Sequence, residues 1–469
     1  MCTTSPSPAR RPTTGAAIDT KEHPGGRIGM TPAARLQATI DLLVNMASAP
    51  TAAEVAVSSY FRRRRYAGAK DRRAVTGRFF DLLRRRRRLE WWIARAAADG
   101  GGAQDRDGDP RRVLIADLCL SDGLGLDGVR ALFNGGLYAP PPLTADEESL
   151  ARSLAGRTFG HADMPAAVAL EYPSWLDASL RRLFGDSLAA EMSALNRPAS
   201  VDLRANSLKG GRGDAAAALA RDGIETEPTP FSPVGLRLGG RANLAAAAAY
   251  RDGLVEVQDE GSQLIALLTA AGPGMTVVDF CAGGGGKALA LAATMANQGR
   301  VIAADVSENR LRKTIPRLRR SGATIVETRL LADAWPAENQ AIAERLLLDV
   351  PCTGSGAWRR DPEAKWRLSR DDVTRFAEQQ RRILAAAHRL TKVGGRLVYA
   401  TCSLLEEENE EQITWFLETH PGFTLLSVAD VWAETLPGCC PAAGPYLRLS
   451  PAATGTDGFF VAVLQRRHE

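Results

Sequence analysis

From about Gly253 onward the chain alternates short apolar runs with helical stretches, and that alternation leaves little choice of fold. The runs with strand character fall at 276–280, 301–305, 324–327, 345–348 and 396–400. Strands separated by helices predict a doubly wound parallel sheet, an α/β fold. A late run, GFFVAVLQ at 458–465, is expected to close the sheet edge. In such sheets chemistry collects at the carboxyl ends of the strands. Two cysteines occupy those ends, Cys352 in DVPCTGSG and Cys402 in ATCS. Two thiols at adjacent strand ends point into one crevice, which suggests covalent thiol chemistry.

The rest of the chain divides by pattern. Residues 30–142 read as an all-α domain, with apolar spacing of three and four at 33–46 and 74–95, ended by the prolines at 140–142. Residues 165–252 read as a small α+β domain, with strands at 201–204 and 234–238 and an Ala-rich helix at 214–222. Residues 253–469 form the sheet domain, and 1–29 read as a disordered tail. Apolar content of 45% with 24% charge is ordinary for a soluble protein. No uncharged apolar run is long enough to span a membrane, and the N-terminus lacks the apolar core of a secretory signal. The seven cysteines include no CxxC pair and there are five histidines, so no metal site is expected and a reduced, cytoplasmic location fits. The adjacent Cys439 and Cys440 read as structural.

The net charge of +5 hides an asymmetry: residues 61–95 carry +11 and the remainder −6. The arginine runs at 62–65 and 84–88 are interleaved with Tyr60, Phe61, Tyr66, Phe79, Phe80, Trp91 and Trp92. Concentrated arginine points to a polyanionic partner, RNA or DNA. The aromatics either stack on bases or fill a helical core.

Residues 279–287, DFCAGGGGK, place four glycines between a strand and a helix. Glycine lets backbone amides approach a cofactor near a helix N-terminus. The turn is not a P-loop, whose first Gly and final Ser or Thr fall here on Cys281 and Ala288. Asp305 ends the next strand, where a carboxylate commonly binds the ribose hydroxyls of an adenosine-type cofactor. The alternative is a cap on the following helix through Ser307. Asp333 is placed for an adenine-side contact or a turn cap.

DFCAGGGGK, LLLDVPCTGSGAWRRDPEAKWR and YATCSLLEEENE together resemble the RsmB/NOP/Sun family of RNA (cytosine-5) methyltransferases. YFRRRRYAGAKDRRAV resembles the NusB-like RNA-binding domain of the bacterial branch, and GTDGFFVAVL its C-terminal strand. The resemblance implies a class I methyltransferase sheet preceded by a NusB-like domain and a small domain. It implies S-adenosyl-L-methionine as cofactor, held by Cys281, Ala282, Gly283, Gly284, Gly285, Gly286, Lys287, Asp305, Arg310, Asp333 and Asp349. One departure stands at Gly284, where the family usually has Pro. The resemblance implies Cys402 as nucleophile toward carbon 6 of cytosine, Cys352 as the thiol that assists breakdown of the adduct, and Asp349 as a bond to the pyrimidine edge. Lys287 is expected to hold the base or favour a thiolate. Trp358, Arg359, Arg360, Lys365, Trp366 and Arg367 are expected at the RNA strand and the flipped base, the alternative being a surface loop with a packed Trp. The acidic stretch 406–411 reads as a solvated helix start. Ribosomal RNA is the expected substrate and a monomer the expected state. A tRNA substrate, or an RNA-binding ribosome-assembly role, is the alternative.

Overall fold

The structure, a computed structural model, describes residues 29–48, 52–99 and 108–468. The tail expected over 1–29 lies outside the described residues apart from Gly29, as does most of the polar loop near 100–107. The chain forms two compact units, Met1–Ala178 with Asp361–Arg367, and Ser179–Arg360 with Leu368–Glu469.

The first unit is helical. Pro32–Ser48, Ala53–Arg63, Ala69–Arg84 and Arg86–Asp99 bury apolar residues such as Leu42, Phe79 and Leu89, and Pro110–Leu120 is buried all round from Val113 to Leu120. Helix Ala145–Leu154 starts at a capping box between Thr144 and Glu147. Its Leu150, Ala151 and Leu154 share a core with Trp92 and Leu114, so the prolines at 140–142 lie within this unit rather than at its end. The segment Asp361–Arg367 also belongs here. Glu363 accepts the Ala53 N–H at 2.8 Å, capping a helix start, and Trp366 Nε1 donates to the Leu83 carbonyl at 2.9 Å.

The second unit holds two sheets. The smaller comprises β1 (Asp202–Ala205), β2 (Thr226–Pro228), β3 (Gly235–Leu238) and β4 (Val255–Val257), in the order β2-β3-β1-β4, all antiparallel. Helix Arg212–Arg221 covers it through Ala215 and Leu219.

The larger sheet comprises β5 (Thr276–Asp279), β6 (Arg300–Asp305), β7 (Val326–Leu330), β8 (Ala343–Asp349), β9 (Thr391–Thr401), β10 (Phe423–Leu426), β11 (Leu447–Leu449) and β12 (Phe459–Arg466). The order is β10-β12-β9-β8-β5-β6-β7, with β11 paired to β12. The strands from β5 to β9 are parallel, and β12 runs antiparallel to β9 and β10. The sheet is therefore mixed, and the late run does not close its edge. β12 is an interior strand, with Phe459 to Leu464 all buried, and β10 takes the edge. The register that matters for function is Asp349 against Ala400, because it brings the ends of β8 and β9 level.

Candidate active site

The glycine turn follows β5 and opens helix Gly286–Thr294. Gly283 and Gly285 have φ of 55° and 77°, the left-handed region that only glycine enters without strain. A Cβ on Gly285 would also lie 2.4 Å from Thr314 Cγ2. Asp305 is buried at the end of β6 and braces both the glycine turn and the start of the next helix. Its Oδ2 accepts the Gly283 N–H at 2.9 Å and its Oδ1 accepts the Ser307 N–H at 2.7 Å. Arg310 lies 3.9 Å from the same carboxylate and is mostly exposed. Gly284 carries no side chain, but its carbonyl is held by Arg317 Nη1 at 2.5 Å, and Arg317 is anchored on Glu256 at 3.1 Å. A side chain outside the motif thus restrains the turn where the expected Pro is missing. Asp333 lies exposed in the turn after β7.

Asp279, the last residue of β5, was not among the residues expected at the site. It is 1% exposed and neither carboxylate oxygen has a hydrogen-bond partner. Burial pushes its pKa up to about 7 against the pull of Lys287. Its position at the end of the strand, four residues before the first glycine, was the available signal. Burial likewise pushes the Cys281 thiol well above its ordinary value. A cradle without side chains from 283 to 286, an unpaired buried carboxylate and a second carboxylate at the next strand end fit a ligand with cationic and ribose ends. S-adenosyl-L-methionine has both.

Beside this turn the two thiols meet. Cys352 Sγ and Cys402 Sγ are 3.3 Å apart, although 50 residues separate them. Lys287 reaches the same place from the helix start, with Nζ 2.5 Å from Asp349 Oδ2. Burial opposes the lysine's charge, but Asp349, Asp279 and Cys402 outweigh it and raise the pKa. The hydrogen bond with Cys402, together with burial, holds the Cys352 thiol well above its ordinary value. The pair therefore contains one thiol held protonated and one next to a fixed cation.

Several other residues expected at the RNA are buried or paired within the protein. Trp358 and Arg359 are buried. Arg359 pairs with Asp457 and, at 3.1 Å, with Asp259; Arg360 pairs with Asp259 at 2.8 Å and Asp457 at 2.5 Å. Lys365 is 1% exposed, and burial pulls its pKa down to about 7 against Glu171. Carboxylates distant in sequence thus neutralise Arg359 and Arg360, whereas Arg367 is exposed. The acidic stretch is also not uniformly solvated. Glu408 and Asn409 are 0% exposed. Burial pushes the Glu408 pKa up against the pull of Ser403, Thr353 and Gln380. Nothing in the run EEENEE distinguishes this glutamate from its neighbours.

The arginine runs part ways. Arg62, Arg63, Arg65 and Tyr66 are exposed. In the second run Arg84 is buried, Arg85 pairs with Asp117 at 3.1 Å, Arg86 with Glu90 at 2.6 Å and Arg88 with Glu171 at 2.9 Å. Tyr60, Phe61, Phe79 and Trp92 are core residues.

A glycine turn, a strand-end carboxylate and this strand order define a class I methyltransferase. A model of the 16S rRNA methyltransferase RsmB/F matches residues 266–465, and one of the RsmF/B-like ferredoxin-like domain matches 172–245. The chain is 35% identical over 294 residues to the ribosomal RNA small subunit methyltransferase B of Sodalis glossinidius, covering 62% of this chain and 65% of that protein. It is 32% identical over 312 residues to the probable ribosomal RNA small subunit methyltransferase B of Bacillus subtilis, covering 64% and 68%. The matches thus span about two thirds of these relatives' length. The crystal structure of PH0851 is similar over 93% of this chain and 99% of its own, at 26% identity and a TM-score of 0.73. A methyltransferase homolog protein from Pyrococcus horikoshii is similar over 64% and 97%, at 29% identity and a TM-score of 0.55. The chain belongs to the RsmB/F methyltransferase family, whose cofactor is S-adenosyl-L-methionine.

Proposed function

We propose that this chain is a ribosomal RNA (cytosine-5) methyltransferase that works through a covalent thiol adduct. The observation that carries the reading is the 3.3 Å approach of Cys352 and Cys402 beside the glycine turn. When bound, S-adenosyl-L-methionine supplies an electrophilic methyl group. Carbon 5 of cytosine is too electron-poor to take that group unaided. Cys402, as thiolate, adds to carbon 6 and makes carbon 5 enamine-like. After methylation the carbon 5 proton leaves, the carbon–sulfur bond breaks and its electron pair returns to Cys402. Cys352, held protonated, assists that breakdown. Asp349 bonds the pyrimidine edge and Lys287 keeps positive charge near the attacking thiol. Asp305 orients the cofactor turn, with Arg310 and Asp333 at its rim.

Chemistry on a pyrimidine ring needs an unstacked base, so the target is single-stranded, looped or extruded RNA. The helical unit binds RNA through the exposed Arg62, Arg63 and Arg65, with Tyr66 beside them. The names of the relatives favour ribosomal RNA over tRNA. Among the described residues, no helix is long and apolar enough to cross a membrane.

Bisulfite sequencing of total RNA from cells with and without the protein tests the reading. One 5-methylcytosine in ribosomal RNA should disappear, returning with wild type and not with Cys402→Ala. Loss confined to tRNA would replace the substrate, and no loss at any cytosine would remove the activity.

A further inference from the structure

The close approach of the two thiols needs a support that neither cysteine motif contains. We propose that Glu408 is the positioning residue that holds the Cys352 and Cys402 loops in register. The proposal deepens the methyltransferase reading and rests on it for the catalytic part of its test.

An ionised carboxylate is an acceptor with about four lone-pair sites. Glu408 meets four donors. Its Oε1 accepts the Thr353 N–H at 2.9 Å and Gln380 Nε2 at 3.0 Å. Its Oε2 accepts Thr353 Oγ1 at 2.5 Å and Ser403 Oγ. Thr353 is the residue after Cys352, and Ser403 is the residue after Cys402. One buried side chain therefore grips both loops at the position next to each thiol. Gln380 extends the grip, because its Nε2 also donates to the Pro351 carbonyl at 2.9 Å, one residue before Cys352.

Glu408 is itself fixed from both sides. Tyr399, a buried residue of β9, donates its hydroxyl to the Glu408 carbonyl at 2.6 Å. The next residue, Asn409, accepts Thr401 Oγ1 at 2.6 Å and donates to the Ser403 carbonyl at 3.0 Å. The loops also touch each other directly: the Gly356 N–H donates to the Cys402 carbonyl at 2.9 Å, the Leu404 N–H donates to Ser355 Oγ at 2.8 Å, and Thr353 Oγ1 lies 3.2 Å from Ser403 Oγ. Removing the Glu408 carboxylate leaves four buried donors to find new partners, which moves the loops independently. A displacement of about 1 Å at a reacting group costs on the order of 100-fold in rate.

The test uses the full chain and a probe of thiol spacing that needs no RNA. Phenylarsine oxide bonds two thiols only when both reach one arsenic. Wild type is expected to capture it at this pair, and Cys352→Ser to lose that capture. Glu408→Ala is expected to lose capture like Cys352→Ser and to lose roughly 100-fold in single-turnover methyl transfer. Its affinity for S-adenosyl-L-methionine should stay unchanged, since the carboxylate touches no cofactor residue. Glu408→Gln, which keeps the shape and one acceptor oxygen, should recover most of both losses. A merely structural glutamate would lower thermal stability and cofactor affinity together and spare neither. Wild-type capture and wild-type methyl transfer in Glu408→Ala overturn the proposal, as does a parallel loss of cofactor affinity. If Glu408→Ala fails to fold, Thr353→Val carries the test. It removes one hydroxyl donor and keeps the backbone one, so capture should weaken, and undiminished capture overturns the proposal. If even wild type methylates no RNA while capture still depends on Glu408, the positioning role stands and the methyltransferase reading falls.

Discussion

The two units carry their functional residues in opposite ways. In the sheet unit the proposed chemistry rests on a few atoms: two sulfurs 3.3 Å apart, one lysine–aspartate pair and two carboxylates at the ends of β5 and β6. In the helical unit one residue type is spread over many positions, and neighbouring arginines do different work. Arg88 pairs with a glutamate whose side chain has no exposure, while Arg62 and Arg63 face solvent. A site built from few atoms should fail at single substitutions. A charged surface should fail by degrees, and only at the exposed arginines that no carboxylate neutralises.

The largest effect is expected at Cys402. Cys402→Ala should lower methyl incorporation into ribosomal RNA on the order of 10⁴-fold, as loss of a nucleophile does elsewhere. Filter binding should show RNA affinity unchanged. A comparable loss of RNA binding would break the division of labour between the units.

Asp279 follows. Its folded pKa is raised from 3.8 to about 7. Between those values the folded state keeps a proton that the unfolded state has released, so stability falls as pH rises through this window. The shift corresponds to about 4 kcal/mol. Asp279→Asn should remove the decline, as thermal unfolding of the cofactor-free protein from pH 4 to 7 would reveal. An unchanged pH profile would place the ionised carboxylate in a polar environment.

How legible these regions were in the sequence follows from where their partners lie. β5, β6, β8 and β9 are buried on both faces, so each reads as a continuous apolar run. β7 slid to 326–330 from the expected 324–327, because at the edge of the sheet four of its five residues are exposed and no apolar pattern marks them. β10, β2, β4 and β11 are three or four residues long and carried no usable period. The meeting of the two cysteines was legible because each follows a strand that its apolar run marks, and the two strands are neighbours in the sheet. The pairing of Arg359 and Arg360 was not legible, because Asp259 and Asp457, which neutralise them, lie about 100 residues away in either direction. Glu408 was invisible for the same reason: its partners at 353, 380 and 403 give no local signature.

The second arginine run supplies a stability contrast. Arg88→Ala removes the guanidinium from Glu171, which keeps the backbone N–H groups of Arg87 and Arg88 at 3.0 and 3.2 Å. Stripping one partner from a buried ion pair costs roughly 3 kcal/mol, here softened by those bonds. Urea unfolding should register the loss for Arg88→Ala and none for Arg63→Ala. Equal effects would erase the distinction between the runs.

The smallest single-site effects should come from the exposed run, and they sum in a way that identifies it. Each arginine that neutralises a phosphate releases condensed counterions, so its removal lowers the slope of log affinity against log salt by about one. Changing Arg62, Arg63 and Arg65 to Gln together should therefore reduce the slope by roughly three and weaken binding at low salt most. The matched change at Arg85, Arg86 and Arg87 should leave the slope as it is, because Asp117 and Glu90 already occupy those guanidinium groups. A loss of slope in the second set would mean that RNA displaces the carboxylates on binding. The helical unit would then use its internal ion pairs as a latent phosphate surface, and the two runs would act as one.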